Sequence, residues 1–242
     1  MRIKYHLRLF WVAFWSIFLT LGICLRAIFR QYRGKVTRAW VDKTMQEWTD
    51  QILNLIKVNY VVINPHHVAP EPNKPTLLMC NHTSLYDIPL SFKAFPNASI
   101  RMIAKQELSK IPFFGKAMVA AEFPFVNRKD RKEAIKNLAA ARALMESGLV
   151  MWIAPEGTRS RDGKLAPFKK GGFITAIEAQ ATIIPIGIRG AYEILPAKTT
   201  QLQTNQSVQI CIGEPIDASA YSLANKEVLI ERVHQAMQAL VE

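Results

Sequence analysis

Apolar positions recur along this chain in two different periods. Short, continuous apolar runs are typical of buried strands, and they occur at residues 76–80 (TLLMC), 149–154 (LVMWIA), 182–188 (TIIPIGI) and 207–213 (SVQICIG). We expect further strands at 58–64, 100–104 and 123–126, and helices at 113–121 and 172–180. The alternation predicts a layered α/β fold, in which a mixed sheet is flanked by helices.

Two longer segments repeat apolar residues every three or four positions and predict amphipathic helices. The first covers 130–148, with Asp130 as N-cap, Glu133 completing a capping box and Gly148 as the stop. The second covers 226–241. The predicted buried faces are Ile135, Leu138, Ala141 and Met145 in the first helix and Leu229, Val233, Met237 and Leu240 in the second.

The N-terminal segment has a different pattern, because residues 9–25 (LFWVAFWSIFLTLGICL) contain no charge. As a helix this run reaches about 25 Å, slightly less than the roughly 30 Å core of a bilayer, so it either spans the membrane or dips into it. A cleaved signal peptide does not fit, since the chain continues with bulky and basic residues. A buried core helix is the alternative, but the Trp and Phe content and basic flanks favour a membrane anchor.

A second helix is predicted at 36–56, with an apolar stripe at Val41, Met45, Trp48, Ile52 and Leu55. We expect it to form a helical hairpin with the anchor. The predicted division of the chain is therefore a membrane-associated helical hairpin at 1–57 and an α/β catalytic domain at 58–242.

Charge and cysteine content narrow the choice of partners. The formal net charge is +12, and residues 1–43 hold nine Lys or Arg against one acid, Asp42. Such a balance favours an anionic membrane surface or a phosphorylated substrate. Nucleic acid is not expected, because no nucleic-acid-binding motif occurs. The three cysteines are far apart, which predicts no disulfide framework, no metal site and a reducing compartment.

Polar and basic residues follow several predicted strands, where loops at one edge of an α/β sheet commonly carry function. Residues 81–87 (NHTSLYD) follow the first buried strand and contain His82 and Asp87. At a strand-to-helix corner the carboxylate can meet the imidazole, which gives the basic unit of proton-transfer catalysis. A structural histidine beside a turn is the alternative.

A second group follows the run 149–154. Glu156, Gly157, Thr158 and Arg159 form a turn in which a guanidinium lies beside hydroxyl and N–H groups, a suitable receptor for phosphate. We expect Glu156 to pair with Arg159 or to hold a substrate hydroxyl. The alternative is a solvated, charged loop. Two cations at other strand exits, Lys105 and Arg128, would face the same anion if the exits converge.

Together these segments resemble the glycerolipid acyltransferases. NHTSLYD is similar to their HxxxxD motif, and FPFVNR, PEGTRS and IIPIGI resemble their second, third and fourth blocks in the same order. The segment 104–118 (AKQELSKIPFFGKAM) is similar to the 1-acylglycerol-3-phosphate acyltransferase branch. The resemblance covers roughly residues 76–190, and the second block departs from many relatives in carrying Asn127 before Arg128.

The resemblance implies acyl transfer from acyl-CoA or acyl carrier protein to the sn-2 hydroxyl of 1-acyl-sn-glycerol-3-phosphate. His82 would be the general base and Asp87 its partner, and no cofactor is expected. Because the sequence has no serine or cysteine nucleophile at an elbow of the Gly-x-Ser-x-Gly kind, we predict direct transfer without an acyl-enzyme. The acceptor would be bound by six residues: Lys105, Arg128, Glu156, Gly157, Thr158 and Arg159. We expect membrane association at the bacterial inner membrane, with the catalytic domain facing the cytoplasm.

Three alternatives stay open on the sequence. The acceptor could be glycerol 3-phosphate or another lysophospholipid. The chain could bind lipid without turnover, or it could pass acyl groups to water as a hydrolase.

Overall fold

A computed structural model describes residues 2–127 and 131–242, and the side chains of residues 6–127 and 139–242. The described residues form the helices α1 (Arg2–Tyr32), α2 (Arg38–Leu55), α3 (Asp87–Ala94), α4 (Phe114–Ala120), α5 (Arg131–Glu146), α6 (Gly171–Glu178), α7 (Ala191–Ile194) and α8 (Lys226–Val241). The strands are β1 (Asn59–Ile63), β2 (Thr76–Cys80), β3 (Ile100–Met102), β4 (Ala104–Lys105), β5 (Phe125–Val126), β6 (Val150–Ile153), β7 (Thr182–Arg189), β8 (Ser207–Ile212) and β9 (Ile216–Asp217).

The main sheet is mixed and has the order β1-β8-β7-β2-β6-β3. β2 lies at its centre, parallel to both β6 and β7, whereas β7 and β8 are antiparallel and β9 adds to the end of β7. Because β2 and β6 are parallel neighbours, the loops that follow them leave the sheet at the same edge. The predicted mixed sheet flanked by helices is confirmed.

The period-two pattern of the strands explains how the sheet is covered on both faces. Leu78 and Ile184 belong to a core on the side of α2, α3 and α7, while Leu77 and Ile183 belong to a core that includes the inward faces of α5, α6 and α8. The strands β2 and β7 are buried along almost their whole length, as expected for central parallel strands.

The predicted helical hairpin forms, with α1 and α2 separated by a turn at 33–37. Thr37 caps the start of α2, because its hydroxyl accepts the N–H of Trp40 at 3.2 Å. Its predicted stripe faces the protein: Val41 and Ile52 are buried, and Met45, Trp48 and Leu55 pack against the core. The division of the chain at residue 57 stays a prediction.

α1 is longer than its uncharged run, and more than half of its described side chains are exposed. His6–Tyr32 is the stretch that is long and apolar enough to cross a membrane among the described residues. The exposed apolar side chains of this helix include Phe10, Trp11, Phe14, Ile17, Phe18, Leu21, Leu25 and Phe29. A buried face holds Val12, Ile23, Cys24 and Ala27.

Two predicted strands differ from the structure. The strand expected at 100–104 breaks at Ile103: its N–H donates to Trp152 in the main sheet, but the next N–H, of Ala104, donates to Pro124. The strand expected at 123–126 is only Phe125–Val126, and it pairs with β4 in a separate two-stranded sheet. The capping residues predicted for α5, Asp130 and the side chain of Glu133, lie outside the described residues, as do the side chains of Ile135 and Leu138.

Candidate active site

His82 and Asp87 meet at the corner between β2 and α3, as predicted. Nδ1 of His82 lies 2.9 Å from Oδ2 of Asp87, which is fully buried at the first position of α3. The same oxygen accepts the backbone N–H groups of Thr83 at 2.6 Å and Ser84 at 2.8 Å. Since a carboxylate can only accept, this contact places the imidazole proton on Nδ1 and leaves the lone pair on Nε2.

The loop after β6 wraps around the backbone of His82. The His82 N–H donates to Oε1 of Glu156 at 2.8 Å, and the His82 carbonyl accepts the N–H of Ser160 at 2.7 Å. Oε2 of Glu156 accepts the N–H of Ala166 at 3.0 Å. The first and third sequence blocks are therefore joined through the backbone of the histidine.

These contacts change the role expected for Glu156. Its carboxylate is 3% exposed, and both of its oxygens accept backbone N–H groups, so it holds the site together instead of pairing with Arg159. Burial raises the pKa of the Glu156 carboxyl, and the N–H groups of Ala166 and His82 oppose that shift. The sequence alone did not show this, because the two partners are backbone groups of distant segments.

Two further residues that the sequence reasoning missed support the dyad. The side-chain amide of Asn81 bonds both backbone groups of Ile188, with Oδ1 accepting at 2.7 Å and Nδ2 donating at 3.0 Å, which continues the contact of β2 with β7 past the last strand residue. Trp152 on β6 packs edge-to-face against the imidazole of His82, with ring centroids 6.1 Å apart. A tryptophan in an otherwise aliphatic strand was the available signal.

Trp152 also reaches α3, the helix that carries Asp87. Its indole N–H donates to Oγ of Ser91 at 2.9 Å, and Ser91 Oγ donates to the carbonyl of Asp87 at 2.7 Å. This chain of hydrogen bonds connects β6 to the first turn of α3. Both partners of the dyad are therefore in contact with Trp152, directly or through Ser91.

The imidazole of His82 lines a cavity of about 600 Å³ between the helical hairpin and the sheet. The lining of this cavity also includes Lys105, Gly157, Thr158 and Arg159. The rest is mostly apolar and comes from α1, α2, α3, α4 and the strand ends, with Ile23, Met45, Trp48, Phe92, Met102 and Phe114 among the lining residues. The predicted convergence of the strand exits is thus found for Lys105 and for the loop after β6.

Arg128, the remaining predicted binding residue, lies outside the described residues. Gly157 adopts φ +76°, a conformation that favours glycine and that turns the chain between Glu156 and Thr158. The carboxylate of Glu156 can therefore point inward while Thr158 and Arg159 reach the cavity.

Comparison with known proteins identifies the family. The sequence profile described as Acyltransferase matches residues 59–189, which is more than half of the chain. This chain belongs to the Acyltransferase family. The matched segment begins at β1 and ends with β7, so it contains the dyad, the loop after β6 and the sheet that positions them.

Curated members of the family include two relatives named 1-acyl-sn-glycerol-3-phosphate acyltransferase. The protein of Chlamydomonas reinhardtii is 36% identical over 138 residues, which cover 57% of this chain and 41% of the relative. The beta protein of Homo sapiens is 30% identical over 166 residues, covering 68% of this chain and 59% of the relative. The matched regions thus span about half the length of these relatives.

A solved acyltransferase shares the fold over nearly the whole chain. The crystal structure of the 1-acyl-sn-glycerophosphate (LPA) acyltransferase PlsC from Thermotoga maritima superposes with a TM-score of 0.77 and covers 98% of this chain and 93% of that one. The two sequences are 24% identical, so the likeness concerns the fold.

Proposed function

We propose that this protein transfers a fatty acyl group from an acyl thioester, acyl-CoA or acyl carrier protein, to the sn-2 hydroxyl of 1-acyl-sn-glycerol-3-phosphate. The observation that carries the proposal is the position of His82. Its Nδ1 is held by Asp87, and its ring opens into a cavity that combines an apolar wall with Lys105 and Arg159. A lysophospholipid has the matching parts, which are a hydroxyl, an anionic phosphate and a hydrocarbon chain.

In the proposed reaction Nε2 of His82 takes the proton of the acceptor hydroxyl as its oxygen attacks the thioester carbonyl. Asp87 keeps the imidazole in the tautomer that can accept this proton and stabilises the imidazolium that forms. The carbon–oxygen bond forms, the carbon–sulfur bond breaks, and the departing thiolate receives the proton from His82. The two substrates react directly, and no acyl-enzyme is formed.

Arg159 and Lys105 both line the cavity and provide the positive charge that would bind the acceptor phosphate. A guanidinium binds phosphate through a planar pair of N–H donors, whereas a lysine acts as a compact charge. Thr158, which is exposed and lines the same cavity, can donate its hydroxyl to the phosphate. The apolar wall suits the hydrocarbon of an acyl chain, since burying it there removes apolar area from water.

The exposed apolar face of α1 supports membrane association. A helix with bulky aromatic residues on one side and basic residues near its ends binds at a membrane interface or within it. The cavity lies against the same helix through Thr20, Ile23, Cys24 and Ala27, which brings the site close to the lipids it would use. We extend the proposal to the bacterial inner membrane, with the α/β part on the cytoplasmic side.

The test is an assay of the purified full chain with labelled acyl-CoA or acyl carrier protein and a panel of acceptors. The panel contains 1-acyl-sn-glycerol-3-phosphate, glycerol 3-phosphate, other lysophospholipids and water as the competing acceptor. We expect phosphatidic acid as the main product and a rate loss of about a hundredfold or more for His82→Ala. His66→Ala, which removes an exposed histidine from the loop after β1, is the matched control and keeps full activity.

Three results would contradict the proposal. Full activity of His82→Ala would remove the histidine from the mechanism. A main product formed from glycerol 3-phosphate or water would change the acceptor. An acyl group trapped covalently on the protein during a single turnover would replace direct transfer by a two-step mechanism.

A further inference from the structure

The corner that precedes α4 presents two large apolar side chains to the outside. Ile111 and Phe113 are 45% and 51% exposed, and Pro112 between them is exposed as well. Leu108 and Phe114, the residues that flank this corner, line the cavity beside His82. The corner therefore forms part of the cavity rim.

The backbone of this corner is strained. Phe113 has φ +62° and ψ −49°, and the N–H of Phe114 donates to the carbonyl of Pro112 at 2.6 Å, so that the three residues make a γ-turn of the rare positive-φ kind. Positive φ is costly for a bulky aromatic residue. Such strain persists only where the surrounding structure enforces it, and it is found preferentially at functional sites.

The surrounding structure does enforce the turn. Gly115 packs so closely against the preceding 3-10 helix (Gln106–Lys110) that an added Cβ would lie 2.0 Å from the carbonyl oxygen of Ser109. This tight backbone contact between Gly115 and Ser109 holds the turn in the conformation that exposes Ile111 and Phe113.

The corner lies next to the apolar helix α1. Ala117 of α4 shares a small buried cluster with Cys24 and Ala27 of α1, and Phe114 packs against that cluster. On α1 the neighbouring residues Leu25 and Phe29 are 47% and 59% exposed. α4, which directly follows the corner, therefore packs against a part of α1 that also carries exposed apolar side chains.

The charge around the corner complements an anionic surface. Residues 105–116 contain three lysines, Lys105, Lys110 and Lys116, against the single acid Glu107, and the three lysines are exposed. Exposed lysines beside apolar side chains are the combination that binds an anionic leaflet.

We propose that Ile111, Pro112 and Phe113 form a second membrane-inserting element, which holds the rim of the cavity in the headgroup layer of an anionic leaflet. α1 attaches the protein to the membrane, while this corner sets the depth and tilt of the cavity opening relative to the lipid headgroups. A lysolipid can then move from the leaflet to His82 without passing through water. This inference rests on the proposed function for the identity of the lipid and on the apolar face of α1 for membrane attachment.

The direct test places a fluorescent label at the corner. The three native cysteines are buried, so Ile111→Cys and Phe113→Cys can be labelled selectively with an environment-sensitive nitrobenzoxadiazole group. Val228→Cys on α8 is the control, since this residue is 60% exposed and belongs to a helix on the opposite face of the sheet. Labelled full-length protein is reconstituted into phosphatidylethanolamine and phosphatidylglycerol vesicles, with and without lipids that carry a spin-label quencher near the headgroup.

We expect a blue-shifted emission and strong quenching at positions 111 and 113 and neither change at 228. A water-like emission at both corner positions, in protein that sediments with the vesicles, would overturn the proposal. An emission that shifts only when acyl carrier protein is added would overturn it too, because the corner would then contact a protein. Ile111 has an ordinary φ of −70°, so its label stays informative if Phe113→Cys folds poorly.

A kinetic test distinguishes an effect on the position of the protein at the membrane from an effect on the acyl-transfer step. The double variant Ile111→Ser, Phe113→Asn removes both apolar side chains, and asparagine tolerates positive φ. Its control is the double variant Leu223→Ser, Val228→Asn, which removes one exposed apolar side chain just before α8 and one within it. We expect the corner variant to raise the apparent KM for lysolipid diluted in vesicles by about threefold to tenfold, with unchanged kinetics on a monomeric short-chain acceptor.

An unchanged KM in vesicles, or equal losses on both acceptors, would contradict the inference. Failure of the proposed function gives a different result, because the unmodified protein would then acylate neither the vesicle lysolipid nor the short-chain acceptor. The fluorescence measurement does not depend on turnover and would still test the membrane contact of the corner.

Discussion

Glu156 holds the backbone of His82 by accepting its N–H at 2.8 Å, although 74 residues separate the two in the chain. Parallel pairing of β2 and β6 brings the residues that follow these strands together. A carboxylate has two acceptor oxygens, and Glu156 uses the second for the N–H of Ala166. The third block of the family is therefore part of the support of the histidine, in addition to the binding role expected for Arg159.

This relationship predicts that Glu156→Gln acts on the rate constant of the reaction. Glutamine has one oxygen, so one of the two N–H groups would face an NH₂ donor and the His82 backbone would shift. We expect kcat to fall by about tenfold to a hundredfold with little change in the KM for the acceptor. Glu178→Gln on the exposed end of α6 is the control. A raised KM at constant kcat would instead mean that Glu156 binds the substrate.

A second prediction concerns Trp152. Trp152→Phe keeps an aromatic ring near His82 but removes the N–H that donates to Ser91. Loss of this buried bond should lower the free energy of unfolding by about 1 kcal/mol and reduce kcat, because the first turn of α3 is less firmly held. Ser91→Ala removes the same bond together with the bond from Ser91 to the carbonyl of Asp87, so the losses of the two single variants should add up to more than the loss of the double variant. Fully additive losses in the double variant would contradict the coupling.

Much of the main sheet could be predicted because its strands carry their own signal. The run 182–188 is almost entirely apolar, so it is expected to be buried on both faces of a sheet. The structure places β7 there, with Arg189 as one additional residue. The break at Ile103 could not be predicted in the same way. Ala104 leaves the main sheet because Pro124 offers its carbonyl, and no local pattern encodes that partner.

The candidate site shows the same division. His82 and Asp87 are five positions apart, so their contact follows from one local corner, and the sequence predicted it correctly. Convergence of Lys105 and Arg159 followed from a general rule about strand ends. The role of Glu156 depends on which backbone N–H groups meet it, and such contacts between distant segments have no signature in residue type or spacing.

A third prediction addresses the connection between the hairpin and the sheet. Arg101 on β3 is fully buried, and its Nη1 lies 2.7 Å from Oδ1 of Asp42 on α2. Asp42→Asn would leave this guanidinium without its counter-charge, so we expect the free energy of unfolding in detergent micelles to fall by about 3 kcal/mol. Asp50→Asn, also on α2, breaks the pair of Asp50 with Lys93 of α3. The Asp50 side chain is 57% exposed and Lys93 keeps its hydrogen bond to Gln46, so this change should cost less than about 1 kcal/mol.

The double variant Asp42→Leu, Arg101→Met removes both charges of this pair. Since no buried charge is then unpaired, it should recover most of the stability lost in Asp42→Asn. Similar losses in the single and double variants would show that the contact stabilises the protein through packing alone.

The fourth prediction is a pH dependence with a defined sign. Arg38 makes two hydrogen bonds to the carboxylate of Glu122, both of 2.8 Å, and these lower the pKa of Glu122 below its ordinary value. A lowered carboxyl pKa stabilises the folded state above the pKa of the unfolded chain, about 4.3, and that contribution is lost as the pH falls through the folded value. Both side chains are more than a third exposed, so solvent screening limits the contribution to less than about 1 kcal/mol.

Glu122→Gln should therefore unfold more easily than the unmodified protein at pH 7, and the difference should disappear in the acid range, below the pKa of the folded carboxyl. The measurement is the denaturation midpoint in detergent micelles across this range, at low and high salt. Arg38→Lys retains the charge but cannot form the two parallel bonds, so it should lose part of the same increment. A difference that persists unchanged at acid pH would mean that Glu122 stabilises the end of α4 without using its charge.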